Sequence, residues 1–370
     1  VINRKRALLQ LPQGAESFYL DDAVRHRGLI ERIERVVASW GYLPVQTPVF
    51  DFFGVYEGLI PSRDARSIYR LIDREGDVLM LRYDNTLFLA KHMGLMLAEA
   101  DLPVRVWYGD TILRHQDAED ISNDEFFQTG IELIGRQGLD ADLEVLVLLD
   151  RVFRELGAPQ RVVHLGSRAL LTALVPAEPA DPARDFRHAI ALRRHDEVQE
   201  QCIRNGGCLP ERAQFLAELF AFIGTHDELD RLLERGHRDQ LLTTAESREL
   251  RYLERLSTEY ARLGLQAELR IDLSEVGSQP YHTGIAFNVY MDGVGAAIAS
   301  GGRYDHLLSH FGIDAPAVGF SILLRKVQEH LTTEIPRDEE RRPTQVTGGS
   351  FRARLEKADR IRAEGGAALL

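Results

Sequence analysis

Cysteine is almost missing from this 370-residue chain: Cys202 and Cys208 are the only two. Their spacing fits no CxxC redox or zinc pattern, and the twelve histidines show no HExxH or comparable grouping. No metal ligand is therefore assigned and no cofactor is expected. The pair reads as two small residues in a reducing compartment, which suits a cytoplasmic protein. No apolar run approaches the roughly 20 residues of a membrane span, and no secretory leader is expected. Basic residues are in deficit, 45 Lys and Arg against 57 Asp and Glu, giving a net charge of −12. Phosphate backbones are held by cations, so this balance argues against non-specific nucleic-acid binding. Neither a G-x-G-x-x-G fingerprint nor a GxxxxGK[ST] loop occurs, so the commonest nucleotide-binding architectures are not indicated.

What is present is an alternation of strand and helix signals. Leu29, Ile30, Ile33, Val36, Val37 and Trp40 recur at helical spacing over residues 21–40, and Gly41 stops that helix. The extended, proline-punctuated "GYLPVQTPVF" follows. "YRLIDREGDVLMLRYDN" reads as a hairpin turning at Arg74–Asp77, with a helix continuing from Thr86 to Leu97. Strands are expected over 104–114 and 125–134, and "ADLEVLVLLDRVFRELGAP" as an apolar helix ending at Gly157. From about 180 to 264 helical stretches dominate, the mark of an inserted helical block. Strands return in "AELRIDLSE" and in "GIAFNVYMDGVGAAIASGG", whose Asp292-Gly293 marks a turn. "PAVGFSILLRKVQEHL" looks like a strand feeding a helix. The mixture predicts an α+β fold with antiparallel hairpins rather than a doubly wound sheet. Residues 1–333 read as one core, and 334–370 as a polar linker with a small C-terminal remnant.

The strand at 125–134 carries the clearest chemical signal. With period 2, Phe126, Gln128, Gly130 and Glu132 share one face, while Phe127, Thr129, Ile131 and Leu133 form a core face. Gly130 leaves space between an amide and a carboxylate, an arrangement suited to a small cationic ligand. A solvated outer face is the competing reading, because antiparallel sheets often wet one side. Five acids precede or open this strand, Asp117, Glu119, Asp120, Asp124 and Glu125. Three further segments supply polar groups: "LRYDNT" with Asp84 and Thr86, "SQPYHTG" with Tyr281 and His282, and "SGGRYD" with Arg303 and Tyr304. Taken singly, Asp84 could be a helix cap and Tyr281 a core residue.

In order and spacing, these segments resemble the catalytic core of histidyl-tRNA synthetase, a class II aminoacyl-tRNA synthetase fold, over roughly residues 10–333. The likeness rests on "GYLPVQTPVF" with Pro48, on "LRYDNT" (LRPEGT in the family) and on "LRHQ…EFFQTGIELIG" (FRxE…FxQxGxExxG). "YHTGIAF" and "GGRYDHLL…PAVGFSILLRKV" complete it. The resemblance implies a mainly antiparallel sheet flanked by helices. It also implies a histidine site in which Asp84, Thr86 and Gln128 hold the α-ammonium while Glu132, Tyr281 and His282 read the imidazole. Arg114, Arg303 and Tyr304 are candidate anion or ligand contacts.

Amino-acid activation needs cations at the α-phosphate and at the charge that develops in transfer. Arg114 keeps one. The family's RGLDYYTG arginine aligns with Gly277, and the Glu-Arg of GLER becomes Arg325-Lys326; a lysine does not reproduce a planar guanidinium stacked on a base. The GRxRxF loop reads "ISNDEF", with Asp124 at its second arginine. A kept amino-acid pocket without this apparatus resembles the family of ATP phosphoribosyltransferase regulatory subunits. That likeness implies a non-catalytic, allosteric role in histidine biosynthesis. It implies a short-form catalytic partner in a hetero-octamer, self-association as a dimer, L-histidine as effector, no tRNA and no anticodon-binding domain beyond residue 333. The competing readings are an ATP-dependent amino-acid-activating ligase, supported by Arg114 and Arg303, and a sensor of uncharged tRNA.

Overall fold

The structure, a computed structural model, describes Pro12, Gly14, Ala15 and residues 17–60, 64–115, 124–158, 160–174, 182–331, 344–365 and 368–369. Most of the acidic stretch, including Asp117, Glu119 and Asp120, lies outside the described residues. Two compact units emerge, Val1–His330 and Leu331–Leu370.

In the first unit helix α1 spans Asp21–Ser39 and buries Leu29, Ile33 and Val37 on one face. A short strand β1 (Leu43–Pro44) and β2 (Phe50–Phe52) follow. β3 (Arg70–Ile72) and β4 (Val78–Leu81) form the expected hairpin, whose turn is tied by Asp73 Oδ1 accepting the amides of Glu75 and Asp77 at 3.0 and 2.8 Å. Helix α2 (Asn85–Met96) leads to β5 (Val104–Leu113) and β6 (Glu125–Ile134), then to α3 (Leu139–Leu156). Gly157 ends α3 with φ 70°, a left-handed cap that a Cβ would strain. β7 (Arg161–Ser167) is next.

Five helices occupy Pro182–Ala191, His195–Gly206, Pro210–Ala221, His226–Arg238 and Thr244–Arg262, with only the two-residue β8 (Ile223–Gly224) among them. Two of these helices start in full capping boxes, Thr225 with Glu228 and Thr243 with Glu246. β9 (Glu268–Asp272), β10 (Ile285–Met291), β11 (Ala299–Arg303) and β12 (Ala317–Leu323) close the sheet, and a short helix Leu324–Gln328 leaves its end.

Among the described residues nine strands make one sheet in the order β1-β5-β6-β12-β11-β10-β7-β9-β8. Only β1–β5 and β7–β9 pair in parallel; the other neighbours are antiparallel. The α+β reading and the mainly antiparallel sheet are therefore correct. β7 was not anticipated, yet it sits between β10 and β9 and carries the sheet across to the helical block. A separate sheet, β2-β4-β3, packs with α2 around Tyr56, Met80, Tyr83 and Phe88, all fully buried. The same sheet leaves Phe50, Phe52, Leu71, Ile72 and Val78 exposed, the first three on one face and the last two on the other.

The second unit consists of a parallel pair, Thr344–Gln345 with Ala368–Leu369, and a helix Phe351–Ala363 capped by Ser350.

Candidate functional site

β6 pairs with β5 on one side and with β12 on the other, which fixes the direction of its polar face. Glu132 lies opposite Gly319 on β12, and a Cβ at position 319 would stand 1.8 Å from Glu132 Oε2. Glycine at 319 is what allows a carboxylate to lie against the sheet there. Gly130 was expected to leave open space. Instead a Cβ at 130 would meet the Tyr108 hydroxyl at 2.5 Å and the Phe320 carbonyl at 2.3 Å. The room it provides is already filled by a buried tyrosine.

A cavity of about 1010 Å³ opens over this face. Asp84, Thr86, Gln128, Glu132, Tyr281 and His282 all line it, as do Arg114 and Tyr304. Asp84 is the N-cap of α2: its Oδ1 accepts the Leu87 amide at 2.9 Å, while Oδ2 is 3.4 Å from the Tyr281 hydroxyl that donates to it. The cap and ligand readings of Asp84 are thus compatible. Glu132 is 2 % exposed; its Oε1 accepts from Thr86 Oγ1 at 2.8 Å and its Oε2 from the Tyr304 hydroxyl at 2.6 Å. Gln128 Oε1 accepts from Asn85 Nδ2 at 3.0 Å.

The electrostatics of these groups follow from burial. Among the described residues neither Asp84 nor Glu132 has a salt-bridge partner. Desolvation pushes the Glu132 carboxyl up to about 8, opposed by the hydrogen bonds from Tyr304 and Thr86 and reinforced by the charge of Asp84. Asp84 is raised too, by desolvation first, with the Arg114 charge and the Leu87 amide pulling the other way. Burial drops the His282 imidazole to about 4, and Arg168 adds to the drop, so that ring is neutral at physiological pH. Gly277, with φ +78°, lets the His282 ring approach: a Cβ at 277 would be 2.5 Å from His282 Nδ1.

Arg114 stacks on Tyr83, its guanidinium carbon 4.3 Å from the ring centroid, and donates to the Tyr83 carbonyl at 3.2 Å. Asp124, at the mouth of the acidic stretch, accepts from Tyr69 and lies 3.1 Å from His115 Nδ1. Arg325 and Lys326 also border the cavity, Arg325 exposed and 2.9 Å from Glu329. Among the described residues no cluster of three or more His, Cys, Asp or Glu is arranged around a metal position.

One candidate is corrected. Arg303 does not reach the cavity: Nε donates to Asp142 Oδ1 at 2.9 Å, Nη1 to Asp305 Oδ1 at 3.1 Å and to the Arg136 carbonyl at 3.2 Å. Adjacent residues at the end of a strand point to opposite faces, so Tyr304 enters the pocket and Arg303 locks the sheet to α3. The residues missed are Asn85, which orients Gln128, and Tyr108 beneath Gly130. Asn85 follows Asp84 directly in "LRYDNT", but nothing in the sequence pairs it with a strand 43 residues away.

Sheet order, the second small sheet and the cavity over β6 define a class II aminoacyl-tRNA synthetase-like protein. A family-wide sequence profile described as Histidyl-tRNA synthetase matches residues 14–327. An ATP phosphoribosyltransferase regulatory subunit of Moorella thermoacetica is 30% identical over 370 residues, 98% of this chain and 92% of that protein. Another of the same description, from Symbiobacterium thermophilum, is 32% identical over 85% of this chain and 77% of its own length. A solved structure from Bacillus halodurans, described as an ATP phosphoribosyltransferase regulatory subunit/histidyl-tRNA synthetase, superposes with a TM-score of 0.81 at 24% identity, covering 98% of this chain and 92% of that one. The chain belongs to the histidyl-tRNA synthetase family and, within it, to the group of ATP phosphoribosyltransferase regulatory subunits.

Proposed function

We propose that this chain is a non-catalytic regulatory subunit of ATP phosphoribosyltransferase that holds free L-histidine in the cavity over β6. The observation that carries the reading is a pair of buried carboxyl groups, Asp84 and Glu132, set in a cavity where no cation among the described residues is bonded to either. Burying charge without a partner is costly, and a ligand bearing an ammonium and an imidazole supplies what is missing. Asp84, Thr86 and Gln128 take the α-ammonium; Glu132, Tyr281 and the neutral His282 take the imidazole, with Arg114 and Tyr304 bordering the ligand.

Three features support a loss of amino-acid activation. Position 277 holds a glycine packed on His282, Lys326 replaces a stacking guanidinium, and Arg303 is committed to Asp142. Arg114 alone is left for the rival reading of an ATP-dependent ligase. ATP–pyrophosphate exchange stimulated by an amino acid would rescue that rival; we expect none. A tRNA sensor would instead show tRNA binding that weakens steeply with salt.

In this proposal the chain works in the cytoplasm with a short-form catalytic subunit, in a hetero-octamer, and couples histidine binding to the partner's rate as a linked free energy. The exposed apolar residues of β2-β4-β3 support self-association as a dimer. The test is co-purification with the catalytic chain, followed by assay of that chain with and without this protein and histidine. A complex whose rate rises with this chain and falls with histidine is expected; no complex and no rate change would remove the proposal.

A further inference from the structure

The two acids of the cavity differ in what bonds them. Asp84 Oδ1 accepts a backbone amide, a group that only donates, and Arg114 lies on its side of the pocket. Both fix Asp84 as the member that ionises first. Among the described residues Glu132 is bonded only by hydroxyls, Thr86 on one oxygen and Tyr304 on the other. A hydroxyl can donate or accept, so its bond survives whether the carboxyl is charged or protonated. Among the described residues the remaining groups facing Glu132 bring no positive charge. They are Asp84 from the start of α2, Tyr108 from β5, Tyr281 and Tyr304 from the loops beside β11, and Tyr42 behind. Gly319 of β12 presents no side chain, and His282 nearby is neutral.

We infer that Glu132 carries a proton in the empty pocket and gives it up when histidine binds, the bound state pairing a Glu132 carboxylate with an imidazolium. This rests on the histidine reading above. The O–H bond of Glu132 breaks. When the ligand arrives with a neutral imidazole, the proton passes to the ring nitrogen and no net proton is exchanged with water. When it arrives as imidazolium, the proton leaves to solvent. The raised carboxyl of Glu132, at about 8, is consistent with this order of events.

The consequence is a plateau. Between the imidazole's own value, about 6.5, and that of Glu132, affinity does not change with pH. Below the plateau affinity falls as pH drops, and above it affinity falls as pH rises, each by up to about tenfold per unit for one proton.

Carbon-13 NMR of the full chain labelled at the glutamate carboxyl, with Glu132→Gln to assign the signal, tests this in two arms. In the empty protein at pH 7 the Glu132 signal is expected at the protonated position. Saturation with L-histidine at the same pH moves it to the carboxylate position. A signal that titrates in the ordinary glutamate range in the empty protein overturns the inference even if histidine binds. A signal that is protonated when empty and stays so with histidine demonstrably bound overturns the proton transfer alone. No histidine binding removes the ligand assignment and with it the proton transfer, while the empty-protein signal still decides whether Glu132 holds a proton, so the two failures are distinguished.

Discussion

Two sets of buried charge in this molecule are built differently. On the α3 side, Arg303 is held by Asp142, which also accepts from Tyr252, and Arg161 meets Asp150 at 3.2 Å. Near the edge, Arg82 meets Asp110 at 3.1 Å and donates to the carbonyl of Thr47 at 2.7 Å. Every one of these ions has its counter-ion inside the protein. On the cavity side Asp84 and Glu132 have none among the described residues. The first set ties elements together: β11 to α3, β7 to α3, β4 to the proline-rich segment after β1. The second leaves Asp84 without a bonded cation and Glu132 holding its proton until a cationic ligand arrives. A buried carboxylate without its cation, lining a cavity, is a binding statement in a way that a buried ion pair is not.

Four variants probe that contrast. Arg303→Ala strands Asp142 and is expected to destabilise the chain by about 3–5 kcal/mol in urea titrations. A value near zero would mean the paired set is ornamental. Gly319→Ala drives a methyl group into the Glu132 carboxylate and should cost about 1–3 kcal/mol while also displacing the site, read as loss of histidine binding.

Glu132→Gln is expected to act in the other direction. The folded-state value of Glu132 is raised from 4.5 to about 8. The folded protein therefore binds more protons than the unfolded chain between those values, and the burden on stability grows as pH rises from about 5 to 8. The glutamine variant lacks that burden, so its advantage over the parent should be absent near pH 4, grow through that window and level off above 8 at roughly 4–5 kcal/mol. Urea midpoints measured in parallel at pH 5, 6.5 and 8.5 check the sign. Asp84→Asn keeps a good helix cap and should change stability by less than about 0.5 kcal/mol, yet weaken histidine binding more than tenfold. Equal losses of stability in Arg303→Ala and Glu132→Gln would erase the distinction between the two sets.

The sequence carried much of this design, and the places where it did not are instructive. Period-2 alternation in 125–134 set Gln128 and Glu132 on one face; the resemblance to histidyl-tRNA synthetase added Asp84, Thr86, Tyr281 and His282, and all six line the same cavity. The hairpin at Arg74–Asp77 and the end of α3 at Gly157 were legible because turn and cap residues act locally. β7 was not, because "RVVHLGS" is short, mixes a histidine and a glycine into its apolar run, and owes its place to pairing with β10, more than a hundred residues later. Arg303 was misassigned because its neighbour Tyr304 does enter the pocket, and strand alternation, applied once more, would have separated them. Asn85 and Tyr108 were invisible because their roles are made by contacts across the fold.

The most direct test of the central claim is a calorimetric titration of the purified chain with L-histidine in the absence of ATP. Binding at one site per chain in the micromolar range, abolished in both Glu132→Ala and Gln128→Ala, is the predicted result. No heat of binding with the native chain, or binding that both variants retain in full, would contradict it.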